Sequence, residues 1–373
     1  MGQLSGIRQQ HLTPAVHRLA IMSFTNKRNR SFAAEWDPQD GILIAWPNMG
    51  TDWADMIDEV TSCYVEITRA ILKDEDERVV IVANDKGEVC SALGPDVDWK
   101  RISFAEMPIN DTWVRDYGPI SVYHDGQLKL ANFTFNAWGM KFAADCDNQV
   151  NSRLDELDMF EMPLLDYRDL VLEGGSIETD GNGAVMTTTC CLTAPNRNDT
   201  LSRDQLERIL LDRLGCVKML WLDHGSLVGD DTDGHIDTLA RFAPGGVILY
   251  TGCDNPEDEH FQPLMRMEEQ LKQFTDVDGN HYHLIKLPLP EPIFEHEYFR
   301  LPATYANFLV TNHQVLVPVY GQPENDIKAC QLIGEAFPGR KVVGIDCSPL
   351  IQEHGSLHCA TMQLPKGALS DKI

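Results

Sequence analysis

The 373-residue chain has little positive charge: 31 Lys and Arg stand against 57 Asp and Glu, a net charge of −26. Such a surface repels nucleic acid and anionic membrane and draws cations toward any acidic cleft, so neither is an expected partner. No apolar stretch reaches the roughly 18 residues that a membrane span needs. The ten cysteines have neither metal-site nor disulfide-framework spacing, which predicts free thiols in a reducing cytoplasm. Adjacent Cys190 and Cys191 are expected only to pack within a β-rich run. There is no Walker-type phosphate loop and no Gly-x-Ser-x-Gly frame. His354 and His358 share the spacing of a helical metal pair, but Gly355 between them argues against a helix, and no further ligand completes a zinc set.

No Pro- or Ser-rich linker or charge block divides the chain. Residues 35–373 read as one domain after a flexible leader, residues 1–34. The leader holds five Lys and Arg and no acid, but no apolar run of signal-peptide length, and Met22 is an alternative start. Hydrophobic content of 43%, with seven Trp and fourteen Phe, suffices for a sizeable core.

What is present is a repeat. Five strand–turn–strand units run over 113–135, 174–189, 235–251, 303–319 and 355–364, with starts some 50–70 residues apart. A period of this size marks a propeller or similar closed array. Helical stripes accompany them: Val60, Tyr64, Ile67, Ile71 behind Thr51–Asp52; Val150, Leu154, Leu157; Leu206, Ile209, Leu210, Leu214 between Ser202 and Gly215; Leu264, Met267, Leu271, Phe274; and Ile327, Cys330, Ile333, Phe337. Each stripe is expected to face the core. A short β-rich run follows each helix, at 78–83, 170–172, 217–222, 282–287 and 341–345. The fifth hairpin lacks a return strand, and the run 41–46 could fill that place and close a ring.

The chemistry-bearing residues lie at these units. Equivalent positions of a closed array point to one axis, which would gather Asp111, Glu173, His235, Asp237 and Cys359 in a central pit. Cys359, in Gly355-Ser356-Leu357-His358-Cys359, is the candidate nucleophile. His235 follows an acidic run, and along a strand it would share a face with Asp237. This favours His235 as acid/base over His358, which in a strand would point away from Cys359. Glu173 precedes Gly174-Gly175, where backbone can approach a site closely. Taken alone, Glu173 or Asp111 equally fits an ion pair or a turn cap. Trp113 fits stacking on a planar cation and core packing alike. Carboxylates grip a guanidinium fork, a thiolate can attack its central carbon, and a histidine can protonate departing ammonia. The residues thus point to hydrolysis of a guanidine to a urea through a covalent thiol adduct.

At this point the chain resembles the agmatine deiminase and bacterial-type peptidylarginine deiminase family of the guanidino-modifying pentein superfamily. The resemblance runs from about residue 35 to 365 and rests on Trp46-Pro47, the block 110–119, Phe135-Asn136-Ala137-Trp138-Gly139, Leu172–Ser176, Thr232–Asp237 and His358-Cys359. It implies an α/β five-bladed propeller, no metal or organic cofactor, and a dimer or larger homo-oligomer. It implies Cys359 as nucleophile, His235 as acid/base, Glu173 orienting that histidine, and Asp111 and Asp237 clamping the guanidinium. The expected reaction converts agmatine to N-carbamoylputrescine and ammonia. Arginine or peptidylarginine deimination is the alternative, and a superfamily binding protein without chemistry is the non-enzymatic one. The acidic stretch 229–235 is one residue shorter than the family's, His354-Gly355-Ser356 replaces a triple-glycine approach to the nucleophile, and Lys141 stands where glycine is usual. These departures bear on the substrate's tail. The segment 132–139 holds no Arg for an α-carboxylate, which leans toward agmatine, although Arg115, Arg241 and Arg300 lie elsewhere.

Overall fold

The computed structural model describes residues 30–296 and 298–372. Most of the anticipated leader, residues 1–29, lies outside the described residues. The remainder of it is ordered: Arg30–Phe32 form a strand paired antiparallel with Ile120–His124.

One plan recurs five times: an antiparallel strand pair, a helical crossover, and a strand that joins the pair in parallel. It appears as 120–134 with Leu164–Val171, as 177–188 with Lys218–Leu222, as 240–252 with His283–Pro288, and as 309–319 with Lys341–Asp346. The fifth copy is built from both ends of the chain. Thr361–Pro365 pairs antiparallel with Gln39–Ala45, which pairs in parallel with Arg78–Ala83. The N-terminal strand therefore supplies the return strand that the last hairpin lacks. The inner strands are buried on both faces, and Arg78–Ala83 accordingly reads as a near-continuous apolar run.

The crossover helices form where the apolar stripes predict them: Ile57–Leu72, Val150–Glu156, Arg203–Leu214, Phe261–Leu271 and Pro323–Ala336. Arg203–Leu214 shows the local code most plainly. Ser202 Oγ accepts from the Gln205 backbone N–H while the Gln205 side chain accepts from the Ser202 N–H at 2.9 Å, and Gly215 ends the helix at φ 69°.

Several expectations do not hold. Leu157 and Ile327 are exposed, because Leu157 lies past its helix end and Ile327 sits on the turn opposite the buried Ala329 and Ile333. Cys190 and Cys191 lie in a short helix, Thr189–Leu192, not a strand. His235 and Asp237 are not on a strand either; a single 3₁₀ turn, Ile236–Thr238, leads into Ala240–Ala243. Residues 355–360 are likewise a turn, so strand alternation does not govern His358 and Cys359. Among the described residues no helix is long and apolar enough to cross a membrane.

Replacing Ser202 with Ala removes one half of the reciprocal cap. Urea unfolding should show a loss of about 1 kcal/mol with no change in the site.

Candidate active site

A cavity of about 240 Å³ opens where the segments preceding or ending these strands converge. Cys359, His235, Asp111 and Trp113 line it, together with Asp52, Asp116, Trp138, Asp231 and Glu353. Glu173 and Asp237 sit directly behind that lining.

The turn carrying Cys359 is tied to the opposite elements by backbone. The Arg115 N–H donates to the Cys359 carbonyl at 3.1 Å, docking the short helix Val114–Tyr117 against the Cys359 turn. Asn307 Oδ1 accepts from the backbone N–H of His358 at 2.9 Å and of Cys359 at 3.2 Å, and its Nδ2 lies 3.3 Å from the Cys359 sulfur. The sulfur is 3.7 Å from Asp237 Oδ2. Burial, then the negative charges of Asp237 and Asp116, push the Cys359 thiol well above its ordinary range.

His235 is fully buried, with Nε2 3.1 Å from Glu173 Oε2. The Glu173 carboxylate also takes Arg197 Nε at 3.0 and 3.1 Å. Burial alone would raise Glu173, but His235 and Arg197 hold it below the usual carboxylate range, so it stays an acceptor. Nε2 of His235 must then carry the hydrogen, leaving Nδ1 toward Asp116, 3.6 Å away, with no hydrogen-bond partner. Burial disfavours the imidazolium, yet Asp116, Cys191 and Glu173 outweigh it and hold His235 well above its ordinary value. The Cys191 sulfur lies 3.7 Å from Glu173 Oε2, and burial, with the Glu173 charge, pushes its thiol up to about 11, so it stays neutral.

Gly174 and Gly175 are required by close approach. A Cβ on Gly174 would meet the Arg115 carbonyl at 2.1 Å, and one on Gly175 would meet His235 Nδ1 at 2.6 Å and Asp116 Oδ1 at 2.8 Å. Asp116 Oδ1 accepts from the Gly175 N–H and its Oδ2 from Trp138 Nε1, both at 2.9 Å. Burial, reinforced by Asp237 and Glu173 and opposed by His235, pushes Asp116 up to about 6. Asp237 is fully buried, and its His358 partner holds it below the ordinary range against the effect of burial. Its Oδ1 has no partner.

The carboxylates fall into two groups. Asp116, Asp237 and Glu173 surround His235 and the thiol. Asp111 belongs to an outer group: burial raises it well above its usual value, and Asp147, Asp52 and Glu353 add to the effect. Asp116 was legible only as part of the block 110–119, and nothing in its spacing set it above Asp111. Arg197 and Asn307 carried no sequence signal of their own, and Asp231 was legible only as part of the acidic stretch 229–235. Trp113 is buried against Trp53, with ring centroids 5.6 Å apart, and also faces the cavity. A Cβ on Gly355 would lie 2.4 Å from the Trp113 ring, which explains glycine there. Lys141 bonds Asp233 Oδ1 at 3.0 Å and Arg197 bonds Asp233 Oδ2 at 2.6 Å, so the shortened acidic stretch is strapped from two sides. His354, bonded to the Gly229 carbonyl at 2.8 Å, faces the cavity mouth while His358 points to its floor.

Comparison with known proteins gives the family and the fold. The agmatine deiminase of Pseudomonas syringae pathovar tomato is 33% identical over 355 residues, covering 89% of this chain and 94% of its own length. A C. jejuni agmatine deiminase variant, solved with substrate bound, superposes with a TM-score of 0.84 at 36% identity, covering 91% of this chain and 97% of its own. A Porphyromonas gingivalis protein provisionally described as an arginine deiminase superposes at 0.87 with 47% identity, covering 91% and 100%. The α/β fold is therefore the one those deiminases share, and the match of residues 31–365 means that the chain belongs to the Porphyromonas-type peptidyl-arginine deiminase family.

Proposed function

We propose that the protein is a hydrolase that deiminates agmatine to N-carbamoylputrescine and ammonia. The observation that carries this reading is the cavity wall. Five carboxylates, Asp52, Asp111, Asp116, Asp231 and Glu353, line it beside Cys359 and His235, and no Lys or Arg does among the described residues. Agmatine is cationic at both ends, so the inner acids suit its guanidinium and the outer acids its ammonium. Arg115 and Arg241 are tied beneath the site and Arg300 to Asp258, which leaves none of them facing the cavity for a substrate carboxylate. The P. gingivalis relative and the peptidyl-arginine description of the family favour arginine.

In this reading Asp116 and the unpartnered Asp237 Oδ1 bracket the guanidinium, with Trp113 against the bound substrate. The arriving cation offsets the two charges that hold the thiol protonated, and the thiol proton leaves to water. The thiolate of Cys359 attacks the central carbon. His235, oriented by Glu173 and held protonated, gives its proton to the departing ammonia. Water then attacks the thiouronium, His235 takes its proton, and the ureido product leaves with the thiol restored. No cofactor is required by these steps. Relative to the expected pair Asp111 and Asp237, the inner clamp becomes Asp116 and Asp237, and Asp111 moves to the tail. The five repeated units, with Thr361–Pro365 paired back onto Gln39–Ala45, further support a five-bladed propeller forming one domain that includes the strand Arg30–Phe32.

Purified protein should release ammonia from agmatine, with N-carbamoylputrescine identified by mass. Cys359→Ala should abolish turnover while still binding agmatine in calorimetry; ammonia from arginine alone would sink the substrate assignment. Asp116→Asn should lower kcat/KM by roughly 1000-fold or more. Asp111→Asn should instead raise KM for agmatine while leaving butylguanidine, which has no ammonium, nearly unaffected. The pH profile follows from Asp116: its charge is present above a pKa of about 6 and lost below it. Since agmatine remains cationic there, kcat/KM should fall as pH drops through about 6.

A further inference from the structure

Beneath the site lies a set of buried groups with no part in the steps above. Glu35, on the segment before the first inner strand, has Oε1 2.6 Å from His358 Nε2, receives Arg115 Nη1 at 3.2 Å, and also bonds Arg241 and Gln363. Arg241 in turn donates to the carbonyls of Ala306 and Phe308, at 3.0 and 2.9 Å, on either side of the Asn307 that holds the nucleophile. His358 Nδ1 lies 2.8 Å from Asp237 Oδ2, the same oxygen that faces the Cys359 sulfur. His358 therefore does not point away from the chemistry, as strand alternation would have it. Its ring bridges Glu35 to Asp237.

We infer that Glu35 and His358 are positioning residues: together they hold the Asp237 carboxylate in the orientation that leaves Oδ1 free for the guanidinium and keeps Oδ2 beside the Cys359 sulfur. This rests on the functional reading above for the identity of the guanidinium, but not for the contact with the thiol. Fixing a buried carboxylate takes a donor on one oxygen, and the donor must itself be fixed. Glu35 supplies that second restraint from outside the turn that carries His358 and Cys359.

Two substitutions separate the halves of the bridge. In His358→Asn the amide N–H can stand near the place of Nδ1 and keep the bond to Asp237. In His358→Gln it reaches the place of Nε2 and keeps only Glu35. Agmatine turnover should stay within about 10-fold of wild type for His358→Asn and fall by roughly 100-fold for His358→Gln, the size of loss that a small misplacement produces. Calorimetry in a Cys359→Ala background should show weaker agmatine binding only with His358→Gln. Alkylation of Cys359 by iodoacetamide gives a readout independent of substrate. Asp237 and Asp116 are the charged groups that face the thiol. At the pH where the thiol ionises, an Asp237 released from His358 keeps its charge with no donor to offset it, and so opposes the thiolate more. The alkylation midpoint should therefore move to higher pH in His358→Gln and by a much smaller step in His358→Asn, which loses only the outer restraint from Glu35. Equal behaviour of the two variants in binding and alkylation would overturn the inference. If His358→Gln does not fold, Glu35→Gln and Glu35→Ala form the second pair: the amide keeps an acceptor for His358 and should leave the midpoint in place, whereas Ala, losing the same outer restraint as His358→Asn, should move it by the same smaller step. A wild-type protein inactive on agmatine would sink the functional reading and leave the alkylation test standing.

Discussion

Glu173, Asp116 and Asp237 lie within reach of one imidazole and one thiol, almost out of contact with water. Burying ionised carboxylates so close together is costly unless each has its own donor. The surroundings supply those donors one by one. Arg197 and His235 take Glu173, the Gly175 N–H and Trp138 take Asp116, and His358 takes one oxygen of Asp237. The oxygen left over is Asp237 Oδ1 and the nitrogen left over is His235 Nδ1. Asp237 Oδ1, beside Cys359, is where the N–H of a cation would complete the set, while the protonated Nδ1 of His235 is the donor left for a departing group.

The same constraint explains the backbone. Carboxylates and imidazole can crowd together only if the chain between them carries no side chain, and Gly174 and Gly175 meet that need. Trp113 lies across Gly355 for the same reason on the other wall. The elements that bring these positions together are turns and short helices at strand ends. Their positions are set by the rigid paired strands behind them, so the chemistry sits on irregular backbone with an ordered support.

The repeat was legible because local rules agreed along its length. Ser202, Gln205 and Gly215 bound a helix whose apolar stripe faces the core, and alternating turn residues separate the strands. Periodicity misjudged Leu157 and Ile327, since a stripe gives spacing but not where a helix ends or which neighbour covers its outer turn. It also misjudged His235, Asp237 and His358, because a period-two argument presumes a strand where the chain makes tight turns.

By itself the sequence determined the elements, the repeated plan and the candidates for the reacting groups, because these depend on short-range patterning and on side-chain chemistry. Only the tertiary structure decided which carboxylates keep company with the thiol. Asp111 and Asp116 are five residues apart in one block, yet one joins Asp52 and Glu353 while the other faces His235. Likewise Glu35, at the very margin of the recognisable domain, reaches His358 across 323 positions of chain. Contacts of that separation are set by packing of whole units, and no local pattern encodes them.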